Sequence, residues 1–242
     1  MLSHKPPFTQ TTLISLFLFS ISMGLLEAIV VVYLRQLYYP EGFSFPLKIM
    51  AFRELSVEYL REISTIVMLI AVAIAAGKKF YERLSYFLFC FGIWDIFYYV
   101  WLRVLLGWPP SLLTWDILFL IPVIWVAPVI TPVICSFTMI LIALCILRKQ
   151  QDALYISYGT ANWFLMISGA LIILVTFLWD YSSLIIHRGF LNRFMTLHTD
   201  IEFQKIIATY VPESYNWFLF AIGEIFILLS LIRFCFRKTG LT

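Results

Sequence analysis

Three acids stand deep inside apolar runs of this chain: Glu27, Asp95 and Glu224. A carboxylate at mid-bilayer costs about 2.5–3.5 kcal/mol on insertion scales, and each surrounding Leu, Ile, Phe or Val returns roughly 0.3–0.6 kcal/mol, so runs like these still enter lipid. A carboxyl so placed needs a partner or a proton, and ionisable groups within a membrane mark functional sites by default. Asp95, Tyr99 and Arg103 are spaced by four and share one helical face, with Tyr99 able to bridge the outer two. Glu54, Glu58 and Glu62 repeat the same spacing beside Arg61 and make an acidic stripe leading inward. The pattern predicts a polar intramembrane cavity lined by Glu27, Arg61, Glu62, Asp95, Tyr98, Tyr99, Arg103 and Glu224. Such a cavity suits a small solute, an ion or a polar head group. The competing expectation is that these residues satisfy one another and lock the helices together, as interhelical polar contacts do.

The elements that position them follow from composition. The 242 residues are 62% hydrophobic and 13% charged, against about 45–50% and 25% in ordinary soluble domains. The apolar runs are continuous, without a strand's alternation, and only helices or closed barrels satisfy the backbone in lipid, so helices are expected. The fold class is therefore all-α: a polytopic membrane protein, one transmembrane domain over residues 1–242, with about six spans. These cover residues 11–34, 59–77, 84–106, 129–147, 161–181 and 213–236. The first is too long for a signal-peptide core and no small-residue cleavage site follows it, so it is expected to be retained. Residues 115–132 are broken by Pro122, Pro128 and Pro132, and a half-helix or re-entrant piece is expected there. Segments 36–58 and 183–212 are expected at the interface. In the second of these, Phe190, Phe194, Leu197 and Ile201 suggest an amphipathic helix on the membrane surface.

Orientation comes from Lys and Arg. Lys5, Lys78, Lys79, Arg83, Arg148, Lys149, Arg237 and Lys238 crowd short segments on the side of the N-terminus, whereas cations on the other side are spread over longer loops. Both termini are thus expected in the cytoplasm. The compact loops and this bias point to a bacterial plasma membrane. Tyr38, Tyr39, Trp101, Trp108, Trp115, Trp179, Tyr181 and Trp217 fall near the opposite boundary as an aromatic belt. A flat apolar site for a quinone, carotenoid or lipid chain among Trp94, Phe97, Tyr98, Tyr99 and Trp101 is the rival for part of that aromatic content.

The exclusions are sharper. No Lys lies inside a span, which argues against a retinal Schiff base. His4, His187 and His198 are the only histidines and none lies in a span, which argues against a bis-His haem b. His187 and His198 would stand about 16 Å apart on a straight helix, too far to share a metal. No paired Glu-x-x-His, His-Glu-x-x-His, Gly-x-Ser-x-Gly, phosphate-cradling loop or dinucleotide fingerprint occurs. Cys90, Cys135, Cys145 and Cys235 lack Cys-x-x-Cys spacing and read as small buried hydrophobes. No cofactor or metal is expected. The net charge of +3 reflects the loop asymmetry, with no basic stripe for nucleic acid. Trp-Asp recurs at Trp94, Trp115 and Trp179, but the Pro-broken segment has no counterpart in the first half, so an inverted repeat is not expected. Besides the lipid bilayer, partner subunits in a membrane complex are possible. Three functions fit: a transporter-like protein for a small solute or ion, a non-catalytic subunit or assembly factor, and, least well, an enzyme acting on a lipid or prenyl chain. No catalytic residue can be assigned.

Overall fold

A computed structural model describes residues 10–152, 158–193, 197 and 200–236. His4, Lys5, Phe194, His198, Arg237 and Lys238, which carried parts of the sequence reading, lie outside these residues. The elements in order are α1 (Gln10–Tyr38), α2 (Phe52–Ala76), α3 (Phe80–Leu106), β1 (Trp115–Phe119), β2 (Trp125–Pro128), α4 (Ile130–Asp152), α5 (Thr160–His187), α6 (Ile201–Ile207) and α7 (Trp217–Phe236). All but α6 are long and apolar enough, among the helices, to cross a membrane. The chain is a multi-pass, all-α membrane protein with six such helices.

The helices run past their hydrophobic edges. α1 continues to Tyr38, α2 starts at Phe52 and α5 ends at His187, so the interfacial segments shrink to 39–51 and 188–216. The added turns carry polar side chains that find buried partners, and hydrogen-bonded helix is the economical state for a backbone near lipid. Leaving Leu106, α3 is closed by Gly107 in the left-handed conformation (φ 66°), whose N–H donates to Arg103 O at 3.0 Å. At the other end of α3, Glu82 accepts from the Lys78 and Lys79 backbone N–H groups at 2.7 and 3.3 Å.

The largest departure is the Pro-broken segment. It is no half-helix but a two-stranded antiparallel hairpin pairing Trp115 with Pro128, Asp116 with Ala127 and Ile117 with Val126, with a bulge before Phe119. Pro122 falls in its tip and Pro128 ends its second strand, where a missing N–H breaks no ladder bond. Pro132 falls in the first turn of α4, where none is needed. The Val129 and Ile130 N–H groups donate back to Thr114 O and Leu112 O at 3.0 and 2.8 Å. Non-helical backbone at such a site is tolerated because it is paired and enclosed by protein.

Helix α3 is the hub, packed on α1, α2 and α4, while α5 pairs with α7 and the second strand lies on α5. Trp125 stacks on Phe177 there, with ring centres 6.1 Å apart. Two close crossings set the spacing. At Gly92 a Cβ would stand 2.6 Å from Ser136 O, and at Gly169 it would stand 2.6 Å from Gly223 O. Small residues at these points allow backbones to approach, the usual means of holding helices together where lipid removes the hydrophobic drive. Buried Phe203 and Ile207 of α6 join Tyr181, Ile185 and Phe190, so this short helix turns its apolar face to the protein. Asp200 caps it, its Oδ1 accepting from Glu202 and Phe203 N–H at 3.0 and 3.2 Å.

Gly92→Ala should therefore destabilise the fold by about 1–3 kcal/mol through overpacking, read as an earlier midpoint when detergent-solubilised protein is titrated with a denaturing detergent. An unchanged midpoint would show that the α3–α4 crossing relaxes freely.

Candidate functional site

A cavity of about 490 Å³ opens among α1, α2, α3, the hairpin and α6. Its polar floor is built by helical spacing. Glu27, Val31 and Arg35 are spaced by four and line it from α1, while Glu58, Arg61, Glu62 and Thr65 line it from α2. α3 contributes Trp94, Asp95, Tyr98 and Tyr99, and the first strand contributes Asp116. Glu27 and Asp95 each lie eleven residues from the hairpin-side end of their helices, Tyr38 and Leu106. At 1.5 Å per residue the floor lies about 16 Å from those helix ends.

Three polar groups organise this floor. Arg61 binds Glu27 across the α1–α2 boundary, holds Glu58 through Nε at 2.7 Å and comes within 4.0 Å of Glu62. Glu62 instead meets the hairpin tip: both its oxygens accept from the Leu120 N–H, each at 3.0 Å. Arg35 pairs with Asp116 at 3.3 Å, and the Tyr99 hydroxyl donates to the other Asp116 oxygen at 3.2 Å. The Arg35 guanidinium lies over Trp108 and Phe43, 3.7 and 4.6 Å from the ring centres. Asp116 is only 2% exposed. It lies outside the six spans, and burial pushes its carboxyl up to about 6, opposed by Arg35. Asp95 stands apart: its one hydrogen bond is from Ser136 Oγ at 2.7 Å, and it makes no ion pair among the described residues.

Of the residues that the sequence singles out, Glu27, Arg61, Glu62, Asp95, Tyr98 and Tyr99 come together in this cavity, and Arg103 and Glu224 do not. Arg103 turns past its helix end and donates to Gly107 O and Pro109 O in the turn that follows α3. Tyr99 accordingly bridges toward Asp116 and not between Asp95 and Arg103. Glu224 faces α4, where Thr138 Oγ1 donates to it at 2.9 Å. Glu54, at the head of the acidic stripe, stays outside the lining. Trp108 is no belt residue: it is 8% exposed, beneath Arg35.

Arg35, Glu58 and Asp116 are the functional candidates that the sequence reading passes over. Arg35 falls between the expected first span and the interfacial segment, Glu58 on the acidic stripe, and Asp116 in the Pro-broken segment. Asp116 is the one polar residue of Trp115–Phe119, so no period-2 alternation marks the strand in the sequence.

Two measurements follow. Arg61→Met leaves Glu27 and Glu58 facing each other unpaired and should cost about 3–5 kcal/mol, with much of the loss restored by adding Glu27→Gln; thermal unfolding in detergent checks both. Glu62→Ala strands the Leu120 N–H and should cost about 1–3 kcal/mol, whereas Glu62→Gln keeps an acceptor and should cost less. Hydrogen exchange at the hairpin tip separates the two, since only the Ala variant should speed it.

No family model matches this chain, and no curated protein or solved structure is similar to it. What the cavity does is therefore argued from its own geometry.

Proposed function

We propose that this protein is a transporter-like membrane protein that takes a small charged or polar solute into the cavity beside the hairpin. The observation that carries this reading is Asp95: a carboxylate at mid-helix, lining a cavity large enough for a small molecule, with only a hydroxyl for a partner. Unlike Glu27, Glu58 and Asp116, which each face a cation, Asp95 lines the cavity with no cation among the described residues within ion-pair distance. The enclosed hairpin also supports it, because irregular backbone at membrane depth is tolerated where it lines a cavity. With Lys and Arg crowded into the short loops of the opposite end, the cavity faces outward from a plasma membrane and both termini lie in the cytoplasm.

One observation favours the reading as a non-catalytic subunit: Glu224 is paired helix to helix through Thr138, away from the cavity. Native mass spectrometry of protein released gently from its own membrane decides between them. The expected result is a reproducible small-mass adduct on the wild type that is lost in Asp95→Asn while the unfolding midpoint holds. Stoichiometric protein subunits without a small ligand would replace the solute reading with the subunit reading, and loss of folding in Asp95→Asn would return Asp95 to a structural role.

A further inference from the structure

The charge and surface of the cavity narrow the ligand to a chemical class, an inference that rests on the solute-cavity reading above. The lining holds five carboxylates, on Glu27, Glu58, Glu62, Asp95 and Asp116, and three cations, on Arg35, Lys48 and Arg61. With all ionised the cavity carries two excess negative charges. Arg35 neutralises Asp116, while Arg61 offsets only one of the two carboxylates it holds, so the Glu27–Glu58 cluster keeps one negative charge, and Lys48 makes no ion pair among the described residues. Asp95 has no cation, and Glu62 has only a 4.0 Å approach from Arg61. The ligand charge complementary to that remainder is positive.

The walls say which kind of cation. A hard ion such as Ca²⁺ takes about 6–8 oxygen ligands. The lining is instead rich in aromatic side chains, with Trp94 and Tyr98 from α3 beside Asp95, Tyr59 from α2 and Tyr181 from α5. Further up it offers aliphatic side chains such as Leu55 and Ile117. Ring faces attract weakly hydrated organic cations, and aromatic cages of this kind recognise quaternary ammonium groups. The volume of about 490 Å³ far exceeds what a bare ion fills and falls in the range of small-molecule sites.

We infer that the cavity binds an organic ammonium ion with an apolar body. The ammonium head lies against Asp95, among the aromatic side chains of the lining. The apolar body lies toward the hairpin, between Leu55 and Ile117.

The test uses radiolabelled benzoylcholine and full-length protein in micelles of dodecyl maltoside, a nonionic detergent without an ammonium group. Saturable binding is expected. It should weaken about tenfold or more in Asp95→Asn, consistent with loss of a desolvated charge partner, and stay within about twofold in Glu224→Gln, which lies outside the cavity. The uncharged carbon isostere 3,3-dimethylbutyl benzoate should compete at least tenfold more weakly than unlabelled benzoylcholine, and sodium chloride at matched ionic strength should not compete beyond a choline-free organic salt. Equal competition by the isostere overturns the inference, because charge is then not read. Specific displacement by sodium also overturns it, in favour of an inorganic cation. If benzoylcholine does not bind at all, a Tyr98→Cys variant, with the four native cysteines replaced by alanine, separates the two levels. Labelling of that variant by a water-soluble methanethiosulfonate leaves the cavity reading standing and removes only the ligand class. A variant that folds but resists the reagent removes both.

Discussion

The arrangement depends most on one guanidinium. Arg61 sits half-way into α2 and gathers Glu27 from α1 and Glu58 from its own helix. An ion stranded at that depth costs several kcal/mol, and each of these three finds an opposite charge. Together they form a compact charged knot that ties α1 to α2. These two helices otherwise meet mainly through α3. With Arg61 committed in this way, Glu62 is released to reach the hairpin tip, and Asp95 is left without a cation. The polarity of the cavity is thus the residue of an internal neutralisation that stops short of completion.

The hairpin answers a different constraint. Three prolines within residues 122–132 forbid a continuous helix, yet every backbone group beside lipid must be paired. A tight two-stranded ladder satisfies most of them internally. The Trp125 indole covers Ile121 O at 2.8 Å, and Glu62 takes the Leu120 donor. Arg35 and Tyr99 converge on Asp116 from α1 and α3. An acid that would be costly in a bare hairpin becomes the point where two helices and a strand are joined.

The number and type of the spans were legible because uninterrupted apolarity over some twenty residues has few other meanings. Their ends were less so, since Arg35, Glu58 and Glu62 look like loop residues until their partners are known. The prolines announced a break at 115–132, but a break does not say what replaces the helix, and five residues of Trp115–Phe119 are too few for alternation to speak clearly. In the site, Glu27 and Asp95 could be picked out as lone acids. The Arg35–Asp116 pair joins residues 81 apart, a relation that helical spacing cannot reach. Spacing did place Arg103 on the face of Asp95, but the helix stops four residues later, and carbonyls of the turn that follows took its donors. Glu224 was misplaced for a related reason: α7 is apolar on all sides, so depth was visible and direction was not.

The hairpin is held from four sides at once: by α1 through Arg35, α2 through Glu62, α3 through Tyr99 and α5 through Phe177. A loop held by one contact moves in nanoseconds to microseconds. Displacing this one breaks contacts to four helices together, which makes it a collective rearrangement, on the order of microseconds to milliseconds. Any step that needs the hairpin displaced is therefore paced by the helices that hold it.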